Sequence, residues 1–163
     1  MMAHQITIDI KPGEWPNGMT VVAIDPGGTS GVAVAGFTKD ILYVETVSIG
    51  WVDEVKEFER LFNMMKGQKR NHIVVEDFRL RADKAPSLAW NQMVAAKVIG
   101  FVEGICKLYE LSDPRFIQPA QTKAITREHL IQRYKSLPHD RHQLDALRIL
   151  AQFIIKYQQG DVK

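Results

Sequence analysis

Residues Val21–Ala35 read VVAIDPGGTSGVAVA. A β-branched apolar run ends in an acid, breaks at Pro26-Gly27-Gly28 and resumes as a second apolar run, which is the pattern of two strands joined by a glycine-rich turn. An acid closing a buried strand is unusual, because an unpaired buried carboxylate is strongly disfavoured. Asp25 therefore calls for a partner. The turn allows two: a metal ion over a nucleic-acid phosphate, or the phosphate of a nucleotide. The choice has to come from the rest of the chain.

Working outward, Thr20–Asp25, Gly31–Phe37 and Ile41–Ile49 read as three strands, the last two joined by the short polar link Thr38-Lys39-Asp40, so an antiparallel meander is expected. Val52–Met65 carries helical periodicity through Val52, Val55, Phe58, Leu61, Phe62 and Met65 and stops before Lys66-Gly67. HIVVEDF (residues 72–78) is a fourth strand, apolar enough to be buried on both faces. RLRADKAP (79–86) is a basic loop, and Ser87–Tyr109 a long helix with Ala96, Gly100 and Gly104 forming a small-residue stripe. RFIQP (115–119) reads as a fifth strand, Thr122–Tyr134 and Asp140–Tyr157 as helices. Residues 1–18 stand apart as an N-terminal extension: ITIDI alternates like a short strand, but KPGEWPNG breaks it. The order βββαβαβαα implies an α/β fold with a mixed five-stranded sheet, an antiparallel meander followed by helix-linked strands, and helices on both faces. At 163 residues, positions 19–163 suit a single domain.

The formal charge of +2 does not by itself announce a polyanion, but its distribution is uneven. Lys39–Arg60 holds six acids against three bases, whereas Lys66–Lys84 holds six bases against three acids and Arg115–Arg148 seven against three. A basic face opposite an acidic helix is one reading, merely solvated helix faces the other. The lone cysteine, Cys106, excludes a disulfide framework and a multi-cysteine zinc site. No apolar run reaches the ~18 residues of a membrane span and no signal-peptide core opens the chain, so no membrane partner and a cytoplasmic setting are expected.

Asp25 ends the first of the five strands and Glu76 the fourth. In HDRHQLDALRILAQFII, His142 and Asp145 lie three apart on one helical face, ahead of an apolar stretch through Leu147, Leu150, Phe153 and Ile154. If the first and fourth strands are neighbours, both acids project from adjacent strand ends, and the first turns of the last helix can meet them. Carboxylates and an imidazole gathered at one point repel one another unless a cation is present, and oxygen-rich sets suit Mg²⁺ or Mn²⁺. Each residue also has a plain reading. Asp25 can be a turn former, Glu76 a surface acid beside Asp77, Asp145 a helix salt-bridge partner and His142 a structural histidine.

The succession AIDPGGTSGVAVA, IVVEDF, FIQPAQTKA and HDRHQLDALRIL resembles the RuvC-type Holliday junction resolvases of the ribonuclease H-like superfamily, over nearly all of 20–157. The resemblance implies a ribonuclease H-like nuclease domain over 19–163. It further implies a metal-dependent endonuclease, holding two Mg²⁺ or Mn²⁺ ions, that cleaves Holliday junctions or other branched DNA as a homodimer and leaves 5′-phosphate and 3′-hydroxyl ends. Carried over residue by residue, the catalytic and metal-binding set is Asp25, Glu76, His142 and Asp145, with Asp140 as an alternate or outer acid. Lys123, in PAQTK, is the candidate phosphate contact, joined on the DNA-binding side by Phe78, Arg79, Arg81 and Lys84 and, through the basic segments, by Lys66, Lys69 and Arg70. The Ala96-Gly100-Gly104 stripe is where a subunit contact is expected.

The chain departs from that pattern where the stacking aromatic is expected three residues after the fourth-strand acid: Arg79 stands there, and Phe78 comes one residue earlier. The short, divergent form is similar to phage versions of the family, some of which cut branched DNA more broadly. Two other readings stay open. The opening turn is also similar to the first phosphate loop of sugar kinases and actin-like ATPases, although that architecture needs two such domains. A non-catalytic nucleic-acid-binding module of the same superfamily would keep the acids for packing alone.

Overall fold

The computed structural model describes residues 4–9, 19–38, 41–50, 53–66, 70–77, 90–133, 137 and 140–158. Its strands are β1 (His4–Asp9), β2 (Met19–Asp25), β3 (Thr29–Thr38), β4 (Ile41–Gly50), β5 (Arg70–Glu76) and β6 (Arg115–Ile117). Its helices are α1 (Glu54–Met65), α2 (Trp90–Leu108), α3 (Pro119–Lys123), α4 (Arg127–Arg133) and α5 (Arg141–Gln158). The strands form one mixed sheet in the order β1-β4-β3-β2-β5-β6. Pairing is antiparallel from β1 through β2 and parallel across β2-β5-β6. The expected α/β class, meander and helix-linked strands are all present.

Two expectations are corrected. The sheet has a sixth strand: β1, from the N-terminal extension, pairs with β4 from His4 opposite Thr46 to Asp9 opposite Ile41. The expected helix over 122–134 is two helices. Pro119, whose fixed φ suits the first helical position, opens α3 early, within a capping box made by Gln118 and Gln121. Thr126 then starts α4 by accepting the His129 N–H on its hydroxyl. Pro119 also explains why the fifth expected strand stops at Ile117.

Burial follows the period of two. In β2, Val21 and Ala23 join one core cluster and Val22 and Ile24 the other; in β5, Val74 belongs to the first and Ile73 and Val75 to the second. The first cluster is shared with α5 through Ala146, Leu147, Leu150 and Ile154. The second is shared with α1 through Phe58 and Phe62 and with α2 through Val98 and Val102. Side chains alternate across a strand, so Asp25 continues the Val21–Ala23 row and Glu76 the Val74 row. Both acids therefore belong to the face that α5 covers. Ile24 stands opposite Val75 in the parallel pair, which sets Asp25 and Glu76 at neighbouring strand ends.

The floor under α5 is made of small residues. Ala23 lies opposite Ala33, Val21 opposite Ala35 and Asp25 opposite Gly31. At Gly31 the approach is backbone to backbone: a Cβ there would lie 1.8 Å from the His142 carbonyl oxygen. Gly36, on the same strand, has open space around such an atom.

Gly31→Ala should therefore cost at least about 2–3 kcal/mol, the scale of overpacking against an unyielding neighbour. Gly36→Ala should change stability by less than about 0.5 kcal/mol. Paired urea denaturation of the two variants checks the contrast; equal effects would place α5 elsewhere.

Candidate active site

The site is a row across the sheet, met by the first turns of α5. On β4, Ser48 donates its hydroxyl to Asp140 Oδ1, and buried Thr46 donates to Gln143 Oε1 at 2.9 Å. Asp140 Oδ1 also accepts the Gln143 N–H at 3.1 Å, and the Asp140 carbonyl accepts the Leu144 N–H at 3.0 Å. This is an N-cap, so Asp140 starts α5. The Ser48 hydroxyl and the helix N–H groups hold its carboxyl below the usual range.

One step further along the row, His142 rests its carbonyl over Gly31. Asp145, a turn beyond Asp140 and His142, comes to the strand ends. Asp25 is pushed up to about 7, first by burial, then by the negative charges of Glu76 and Asp145 and by a hydrogen bond with Glu76, against a smaller opposing pull from Arg141. Like charges and desolvation both favour the neutral acid. The three expected acids are thus brought together. His142 lies on α5 with Asp145, one turn before it.

Two residues absent from the sequence-based set complete the surroundings. Thr122, buried in α3, directs its hydroxyl at Glu76 Oε1, 3.0 Å away. Arg148 donates Nη1 to Asp145 Oδ1 at 3.2 Å and Nη2 to the Thr122 carbonyl at 2.9 Å. Arg141 approaches Asp145 Oδ2 at 3.7 Å from an exposed position. Asp77, the residue after β5, is engaged by Gln118 Nε2 at 2.5 Å. As the side chains stand, no three acids or imidazoles among the described residues are arranged to hold an ion, since Asp25 is bonded to Glu76 and both Asp145 oxygens face arginines. The donor chemistry nevertheless suits a hard cation. The charges of Glu76 and Asp145 add to burial in pushing Asp25 up, and a divalent ion would offset that repulsion.

Of the expected DNA contacts, Phe78, Arg79, Arg81, Lys84 and Lys69 lie outside the described residues. Lys123 is exposed at the end of α3. Lys66 closes α1, its ammonium over the Tyr109 ring at 5.7 Å, and Arg70 opens β5, about 20 Å of strand from Glu76. On α2, Gly100 and Gly104 are exposed. Cys106 is buried and its thiol is pushed up to about 11, mainly by that burial. No helix among the described residues is long and apolar enough to cross a membrane. No family model and no curated protein matches this chain.

Folded Asp25 holds its proton more tightly than unfolded Asp25, whose ordinary value is 3.8. Its contribution to stability is therefore complete below pH ~4 and is lost as pH rises toward ~7. One pH unit of displacement corresponds to about 1.4 kcal/mol, or about 3–6 °C in the midpoint of a domain this size. Without divalent cations, Asp25→Asn should melt at least that much higher than the natural protein at pH 8, with the two converging near pH 4. Melting curves across pH check this; parallel curves would mean that Asp25 is solvated and unopposed.

Proposed function

We propose that this protein is a metal-dependent endonuclease of ribonuclease H-like fold that cleaves four-way junctions or other branched DNA, acting as a homodimer. The observation that carries the reading is the convergence of Asp25, Glu76 and Asp145 from two adjacent parallel strand ends and a helix, at a point where burial first, and then the charges of the other two, push Asp25 up to about 7. Asp25, Glu76 and Asp145 would hold the cations, with His142 as the fourth ligand. Bound there, Mg²⁺ or Mn²⁺ supplies activation of water for in-line attack and charge neutralisation at the leaving 3′-oxygen. Asp25 gives up its proton on loading, so cation uptake releases protons near neutral pH. Thr122 and Arg148 each keep hold of one carboxylate. The basic residues Arg79, Arg81, Lys84 and Lys123 follow as phosphate contacts, which position DNA without reading its sequence, and Phe78 as a ring that can stack on an unpaired base.

Incubation with Mg²⁺ or Mn²⁺ and labelled four-way, flap and linear DNA, with ATP hydrolysis measured in parallel, tests the reading. Cation-dependent nicking of the branched substrates is expected, and nucleotide turnover without nicking would move the protein to the phosphate-loop ATPases. Asp25→Asn, Glu76→Gln and Asp145→Asn should each lower cleavage by roughly a thousandfold or more, since the members of one site act as a unit. DNA binding should be retained or tightened as negative charge is removed. Wild-type cleavage by Asp25→Asn would place the chemistry elsewhere.

The fourth ligand is decided separately. Asn caps a helix about as well as Asp, so Asp140→Asn should fold and cut normally, while His142→Ala loses most activity. His142→Asp should regain part of it and shift the preference from Mn²⁺ toward Mg²⁺, because carboxylate oxygen suits the harder ion. Rates of the three variants with both metals give the answer. A dead Asp140→Asn beside an active His142→Ala would exchange the two roles.

A further inference from the structure

Thr122 and Arg148 lie outside the proposed ligand set yet connect two of its members. The single Thr122 hydroxyl proton lies between Glu76 Oε1 at 3.0 Å and the Pro119 carbonyl at 2.9 Å. The Thr122 carbonyl accepts from Arg148 Nη2 at 2.9 Å, and Arg148 Nη1 reaches Asp145 Oδ1 at 3.2 Å. One continuous path therefore runs Glu76–Thr122–Arg148–Asp145, and it occupies one oxygen of each carboxylate. The other Asp145 oxygen meets the Arg141 guanidinium at 3.7 Å, from a side chain 88% exposed. Such a pair is screened by water and yields easily.

Stability alone does not account for Arg148. Its Nε is buried without a hydrogen-bond partner among the described residues, and its neighbours on α5, Leu147 and Ile149, are core residues. A buried donor without an acceptor is a cost, and an apolar side chain at 148 would avoid it. What the guanidinium adds is direction. Its planar fork spans two acceptors on different elements, fixing the Asp145 carboxylate against α3 while Thr122 fixes that of Glu76.

Building on the metal-site reading above, we propose that Thr122 and Arg148 are positioning residues. They lock Glu76 and Asp145 so that one oxygen of each is presented, beside Asp25, to a divalent cation. Neither touches the cation. Their effect is to remove torsional freedom that the two carboxylates would otherwise lose on binding it, and partners of this kind change metal affinity by about 10–100-fold.

The experiment is titration of Mn²⁺ into the full-length protein, followed by calorimetry and by loss of the free-ion electron paramagnetic resonance signal. Wild type, Asp25→Asn, Thr122→Val, Thr122→Ser, Arg148→Gln and Arg148→Lys are compared, with metal-free melting curves for each. Thr122→Val and Arg148→Gln should weaken Mn²⁺ binding by about 10–100-fold, whereas Thr122→Ser, which keeps the hydroxyl, should stay within about threefold of wild type. Arg148→Lys should behave like Arg148→Gln, because an ammonium lacks the fork. If Arg148 variants fail to fold, the near-isosteric Thr122 pair decides alone. Wild-type affinity in Thr122→Val, with binding lost in Asp25→Asn, would overturn the positioning role and leave the metal site standing. Absence of Mn²⁺ uptake by the wild-type protein would overturn both.

Discussion

The contact on which the rest depends is the one between α5 and the backbone of β3 at Gly31, where the His142 carbonyl occupies the space of a side chain. Helix and sheet can meet this closely because the floor is Gly31, Ala33, Ala35 and Ala23. From there α5 crosses the strands in order. Asp140 is held over β4 by Ser48, His142 lies over β3, Asp145 reaches the ends of β2 and β5, and Arg148 reaches α3. Larger residues in the floor would lift the helix, and the acids would separate before any of them was changed.

That approach sets up an electrostatic conflict that the remaining packing sustains. β2 is flanked by strands on both sides and covered on both faces, so Asp25 has no strand edge to swing past. Glu76 is restrained by Thr122, and Asp145 by arginines. Burial and the neighbouring carboxylates together favour the protonated form of Asp25. Groups displaced this far toward neutrality by both burial and a like-charge partner concentrate where chemistry is done.

Much of this was legible in the sequence, for specific reasons. Asp25 and Glu76 stood out because a carboxylate closing a β-branched run conflicts with burial, and His142 and Asp145 because a spacing of three puts them on one helical face. The strand order followed from turn residues and run lengths. ITIDI was legible as a strand, but the place of β1 in the sheet was not, because its pairing with β4 joins His4 to Thr46 across a segment with two prolines that reads as a boundary. Asp140 could have been read as a cap, but an acid beside a ligand pair competes for the same interpretation. Thr122 and Arg148 carried no local signal. Reading 122–134 as one helix hid the turn in α3 that brings the threonine to Glu76. An arginine three residues from an aspartate is ordinarily just a surface pair.

The two rims of the sheet differ in what they expose. Strand β6, at one end of the order, contains three residues, while β1 at the other contains six. Unpaired edge strands are templates for intermolecular β-pairing, and a very short edge is one of the ways natural sheets blunt that hazard. The acid-bearing strands β2 and β5 are both interior. Edge-to-edge association at either rim would therefore add strands to the sheet without moving the ends of β2 and β5, so self-association and loss of the site are separable failures of this molecule.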